Sequence, residues 1–197
     1  NGIALVVIEL KRAIVSISEG IRQSLDNQEK RFIQPFFTTV QLLLVGSESE
    51  GVRYGVIETP EKYWLQWKEG EHPPAAGDNR LLQGLGHLCA KARFLDLIHN
   101  FIVFDSGTKK TARYNQFVGV HKAQPFVQRR EGGILWHTQG SGKSLTMVWL
   151  AKWIRENVPG SRVLIVTDRT ELDEQIEKVF AGVGENIYRT RSGADLV

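Results

Sequence analysis

Residues 131–154 read EGGILWHTQGSGKSLTMVWLAKWI, and the heptapeptide TQGSGKS inside them decides the fold. A phosphate-cradling loop follows G-x-x-x-x-G-K-[ST], and its first glycine is here His137. The other requirements are met. GILW is apolar enough for a buried strand before the loop, and SLTMVWLAKWI suits a helix directly after it. Gly140 and Gly142 let the backbone turn with positive φ and approach a ligand closely. Lys143 brings charge to the β/γ-phosphates and Ser144 a hydroxyl for Mg2+. The helix N-terminus aims its N–H groups at the same place. The missing glycine falls where the strand ends, before the chain wraps the phosphate. Thr138, Gln139, Gly140, Ser141, Gly142, Lys143 and Ser144 are therefore read as a cradle for ATP and Mg2+, with His137 structural.

Working outward, RVLIVTD reads as a second buried strand and RTELDEQIEKVF as a helix that Asp168 can cap. Strand, loop, helix, strand, helix is the βαβα rhythm of a parallel sheet. Upstream, ARYNQFVGVHKAQPFVQRR reads as a helix carrying Pro125, FIVFD as a short strand, and LLQGLGHLCAKARFLDLIHNF as helical with glycine interruptions. GEHPPAAGDNR is dense in proline and glycine and marks a linker. Before it, residues 35–59 read as two strands joined by a polar turn around Gly46 to Gly51. Ile3 to Leu10 is a nearly continuous apolar run, the pattern of a buried strand. Ser18 is placed to cap a following helix with Ile21 and Leu25 on one face. The expected division is 1–72, a linker at 73–80, and 81–197.

The bulk numbers set limits. The chain has 197 residues, 42% hydrophobic and 24% charged, with a formal net charge of +3, an ordinary globular composition that leans basic without establishing nucleic acid. The one cysteine, Cys89, cannot close an internal disulfide, so nothing points to secretion. No run reaches the ~18 apolar residues of a membrane helix. A cytoplasmic location, with no membrane, is the expectation. The first residue is Asn1 rather than Met, and an apolar strand follows at once, so a piece of a longer protein of marginal stability is expected.

GILWHTQGSGKSLTMVWLAK together with VLIVTDRTELDEQI resembles the superfamily 2 translocases, and more narrowly the R (restriction, motor) subunit of type I restriction enzymes. In that family Trp-His typically precedes the loop, so His137 follows the family's habit. FIVFDSGTKKTARYNQFVGVHKA resembles the family's lead-in to the motor. The resemblance implies that Arg113, Tyr114 and Gln116 lie near the adenine. The alternative reading has Tyr114 and Gln116 merely packing and capping their helix. It also implies that Thr167 and Arg169 touch the nucleic-acid backbone.

The resemblance gives the first strand a meaning. VIELKRA contains Glu9-Leu10-Lys11, the E-x-K half of a PD-(D/E)xK nuclease site. Alternation on a strand puts Glu9 and Lys11 on one face. There a carboxylate can hold Mg2+ and a lysine can stabilise charge at a scissile phosphate. The family often carries Gln-x-x-x-Tyr on the next helix. QSLDN matches it with Gln23, an accessory catalytic candidate, while Asn27 replaces the tyrosine. The family's aspartate, on a preceding strand, and its Asp-Glu box are not in this sequence, for Asp173-Glu174 falls within a helix.

The implied fold is α/β, the end of a PD-(D/E)xK nuclease-like domain followed by the start of a P-loop RecA-like parallel-sheet motor domain. The implied function is ATP-dependent translocation and Mg2+-dependent cleavage of unmodified double-stranded DNA, with methylation and specificity subunits as partners. A generic superfamily 2 helicase and a catalytically inactive nucleotide-binding remnant are the alternatives.

Overall fold

A computed structural model describes residues 2–69, 79–168, 170–190 and 194. The expected linker at 73–80 falls mostly outside the described residues, as does Arg169. The chain divides into two compact units, one of residues 1–103 with 109–118, the other of residues 104–108 with 119–197.

The first unit is built on a four-stranded sheet in the order β1-β2-β3-β4. Strand β1 (Val6–Leu10) runs parallel to β2 (Leu42–Ser47), with Glu9 opposite Val45. Helix α1 (Ile17–Asn27) is the crossover between them, as a parallel pair requires. Strand β3 (Gly51–Gly55) returns antiparallel to β2, and the two-residue β4 (Leu65–Gln66) follows. Leu43 and Val45 of β2 join Ile17, Ile21, Phe37, Val40 and Trp64 in a core on the α1 side, with Leu25 packed against it. Helix α2 (Arg80–Cys89) packs on β2 and β3, so β2 is buried along its whole length. Gly46 makes this approach feasible, because a Cβ there would lie 2.4 Å from Leu81 Cδ1. Helix α3 (Lys91–Asn100) follows, held by a fork from the Arg93 guanidinium to Glu69 at 2.7 and 2.9 Å.

Not every expectation from the sequence is met. The cap of α1 is Ser16, whose hydroxyl accepts from Ser18 N–H; the helix begins two residues earlier than a cap at Ser18 would place it. The first strand is not buried on both sides. It lies at the sheet edge, and Ile8 and Leu10 are 43% and 56% exposed, because α1 covers only the face that carries Val7 and Glu9. The 35–59 hairpin forms as expected. Helices α2 and α3, placed by the sequence beyond the linker, belong with the first unit.

β5 (Ile102–Asp105) and β6 (Thr108–Thr111) make a two-stranded sheet, and α4 (Tyr114–Gln128) follows with Pro125 inside it. In the second unit α5 (Lys143–Asn157) packs on α6 (Thr170–Gly182). Val148, Ala151, Ile176 and Phe180 are their shared core, with Ile165 and Ile187 packed against it. The parallel sheet expected here is not formed: residues 131–138 and 161–167 have no regular secondary structure. A strand exists through its ladder bonds with a neighbour, and among the described residues neither segment has one. The apolar alternation survives without them. Ile165 faces the helices, while Leu164 and Val166 are 63% and 81% exposed.

Candidate functional site

Two constellations emerge, one in each unit. In the first, Lys11 follows directly on β1, and its N–H donates to Gly46 O at 2.9 Å, continuing the β1–β2 pairing. Lys11 Nζ donates to Glu9 Oε1 at 2.9 Å and also to Gln23 Oε1 of α1. The three residues singled out from sequence therefore meet at one ammonium group. Their side chains are partly accessible, Lys11 at 17% and Glu9 at 24%. Such a group is reachable by a ligand yet held in place from two sides.

Gly20 belongs to this site and was not among the sequence candidates. A Cβ on it would stand 2.5 Å from Val45 Cγ1 and 3.2 Å from Lys11 Cγ. Its absence lets α1 settle onto the sheet with the lysine stem between them. The signal was available: a glycine inside an amphipathic helix costs stability, and usually has a packing reason.

Among the described residues no group of three or more His, Cys, Asp or Glu side chains is gathered as a metal site. Glu9 thus offers one carboxylate. That fits Mg2+, which keeps several waters and commonly takes one or two protein carboxylates.

In the second unit the loop has the backbone that the glycines predict. Gly140 and Gly142 have φ of 73° and 84°, in the left-handed region. Gly142 is the N-cap of α5, and no side chain caps that end of the helix. The first-turn N–H groups and the helix dipole there favour an anion. Ser141 N–H and Oγ both turn back to Thr138 O, at 3.3 and 2.7 Å. Lys143 Nζ lies over the same turn, donating to Thr138 O at 3.1 Å and His137 O at 3.4 Å. Ser144 is half-buried at the helix start. Left-handed glycines, a helix end that no side chain caps and a lysine over the turn fit a polyphosphate.

His137 has no positive φ among the described backbone outliers, so a glycine is not needed there.

The remaining candidates are placed differently. Gln116 is buried, and its Oε1 accepts from Arg113 N–H at 2.8 Å at the start of α4. The Tyr114 ring meets the Trp67 ring edge-on at 5.1 Å. These are the packing and capping contacts of the alternative reading. Thr167 Oγ1 donates to Asp173 Oδ1, on the first turns of α6. Asp173 and Glu174 lie within that helix, as expected.

A loop of left-handed glycines ahead of a long helix, following an α/β unit with Glu9 and Lys11 at the end of its first strand, fits a nuclease-then-motor arrangement. Comparison with known proteins agrees. The N-terminal model of the type I restriction enzyme R protein matches residues 1–62, and the SWI2/SNF2 ATPase model matches residues 115–197. The chain is 29% identical over 212 aligned residues to the type I restriction enzyme HindI endonuclease subunit of Haemophilus influenzae, covering 96% of this chain and 20% of that protein. It is 24% identical over 204 aligned residues to the SsaAORF53P endonuclease subunit of Staphylococcus saprophyticus, covering 100% of this chain and 21% of the relative. Along its length the chain is similar to the endonuclease (R) subunits of type I restriction enzymes, and it spans about a fifth of the length of these relatives. No helix among the described residues is long and apolar enough to cross a membrane.

Proposed function

We propose that this chain is part of the ATP-driven endonuclease subunit of a type I restriction system, joining the Glu-x-Lys portion of a nuclease to the nucleotide-binding portion of a motor. The observation that carries this reading is the meeting of Glu9, Lys11 and Gln23 in a chain that also carries the phosphate loop at 138–144. In the intact protein, hydrolysis drives translocation on double-stranded DNA, and the nuclease cuts duplex that lacks the protecting modification. Methylation and specificity subunits complete the assembly, which works in the cytoplasm without a membrane.

Each residue has a chemical task. Glu9 contributes an oxygen to Mg2+, which supplies Lewis-acid stabilisation when bound. Lys11 presents its ammonium group to the scissile phosphate, and Gln23 holds that group at the strand. Thr138, Gln139, Gly140, Ser141 and Gly142 wrap the phosphates with backbone N–H groups, Lys143 pairs with the β/γ-phosphates, and Ser144 turns its hydroxyl to the metal. By the same resemblance we assign Arg113, Tyr114 and Gln116 to the adenine side of the nucleotide. Thr167 and Arg169 belong to the nucleic-acid contact of the motor.

The test is nucleotide binding and turnover with and without linear duplex DNA, beside Lys143→Ala. Binding lost in that variant supports the cradle, while equal binding overturns it. In the intact subunit, Glu9→Ala and Lys11→Ala discriminate this reading from a generic helicase: cleavage that survives both sinks the nuclease assignment.

A further inference from the structure

We propose that Gly119, on α4, is a positioning residue for the phosphate loop, acting through the ring of His137; the inference rests on reading 138–144 as a nucleotide cradle. From Glu131 to Gly140 every residue is exposed except His137, which is half-buried. Its contact is with α4: a Cβ built on Gly119 would lie 3.3 Å from both Cε1 and Nε2 of His137 and 3.7 Å from Cδ2 of Leu135. Ile134 and Trp136, the alternate residues, are 88% and 89% exposed. Leu135 and His137 are thus the residues of this arm that lie against the helix at Gly119, as the two-residue alternation of extended chain allows. Beyond them the turn carries local bonds that begin where the ring ends. Thr138 O receives Ser141 N–H, Ser141 Oγ and Lys143 Nζ, and His137 O receives Lys143 Nζ as well. A displacement of His137 is therefore passed to the turn and to the lysine.

The two positions have exchanged roles relative to the strict loop pattern. Where that pattern has a glycine, this loop has a ring; the glycine that makes room for the ring stands on the facing helix. Gly119 has no positive φ, so space rather than backbone strain is what it supplies. An added methyl at 3.3 Å obliges the ring to move by a few tenths of an ångström, and the exposed arm moves with it.

The experiment is a double-mutant cycle on the chain, reading affinity for a fluorescent ATP analogue with Mg2+. The variants are Gly119→Ala, His137→Gly, the pair together, and Lys143→Ala as the control. Each single substitution is expected to weaken binding by about fivefold, and the pair to bind no worse than His137→Gly alone, because coupled neighbours are not additive. Losses that multiply in the pair, or an unchanged affinity in both singles, overturn the proposal. If Gly119→Ala loses its helical circular dichroism, His137→Gly decides, since it keeps α4 intact: unchanged affinity there overturns it. Wild-type chain that binds no better than Lys143→Ala refutes the cradle itself, a failure separable from additivity between 119 and 137.

Discussion

Lys11, directly after β1, donates through Nζ to the side-chain carbonyl of Gln23, near the middle of α1. The bond ties strand to crossover helix at the very group that would meet a phosphate. With Glu9 on the other side at 2.9 Å, the ammonium cannot swing freely. Its geometry is fixed before any substrate arrives, and pre-organisation of this kind lowers the cost of reaching a productive arrangement.

Removing the members of this trio should have graded effects. On the proposed reading, Glu9→Ala and Lys11→Ala in the full-length protein should abolish duplex cleavage. Gln23→Ala should leave cleavage reduced by about tenfold, the loss of one charge-assisted hydrogen bond. DNA-stimulated ATP hydrolysis should be unchanged in all three. Plasmid nicking and phosphate release, measured side by side, check the split.

At the phosphate loop, Lys143→Ala should weaken nucleotide binding by about tenfold or more, as expected for losing a charged partner of the phosphates. Ser144→Ala should act mainly through the metal. Its defect should be seen with Mg2+ present and shrink when binding is measured in chelator. Titration calorimetry in the two buffers reads the difference.

The sheet should report its asymmetry as stability. Leu43 is 1% exposed in the α1-side core, whereas Ile8 on the edge strand is 43% exposed. Leu43→Ala should cost about 2–5 kcal/mol, and Ile8→Ala no more than about 0.5–1 kcal/mol, as for a surface site. Urea unfolding followed by circular dichroism separates the two.

Tyr54 gives a pH prediction. Its ring is fully buried and its hydroxyl donates to Ala112 O at 2.8 Å. Burial pushes its pKa well above the ordinary 10.0. The folded state therefore keeps the proton more tightly than the unfolded state. The stabilisation is fully present below pH 10 and is lost as pH rises beyond it. Alkaline unfolding should accompany ionisation of this tyrosine, and Tyr54→Phe should remove that component. The same substitution leaves a buried carbonyl without its donor, at about 1–3 kcal/mol. Absorbance at the phenolate band during a pH titration tests both.

Local chemistry made much of this legible. The hairpin at 42–55, the helices after the phosphate loop and after Asp168, and the left-handed glycines at 140 and 142 follow from residues a few positions apart. The gathering of Glu9 and Lys11 followed from strand alternation. What stayed hidden depends on partners distant in sequence. Nothing near Ile8 says that its strand lies at an edge, and nothing near Arg80 says that α2 folds back on β3. GILWH and VLIVT carry every mark of buried strands, yet a strand requires a neighbour, and composition does not reveal whether one is present. Gln116 turned inward because Arg113 N–H at the start of α4 needed an acceptor.

The outward residues of the second unit carry a thermodynamic consequence. Ile134, Trp136, Val166 and Tyr188 are 76–89% exposed, so water already surrounds them in the native state. Heat capacity of unfolding and denaturant sensitivity both scale with apolar surface newly wetted. A scanning calorimeter should therefore record a smaller heat-capacity step for this unit than its length predicts, and its denaturation curve should be shallow. A segment that binds along those residues would steepen that curve before it changed any other property of the chain.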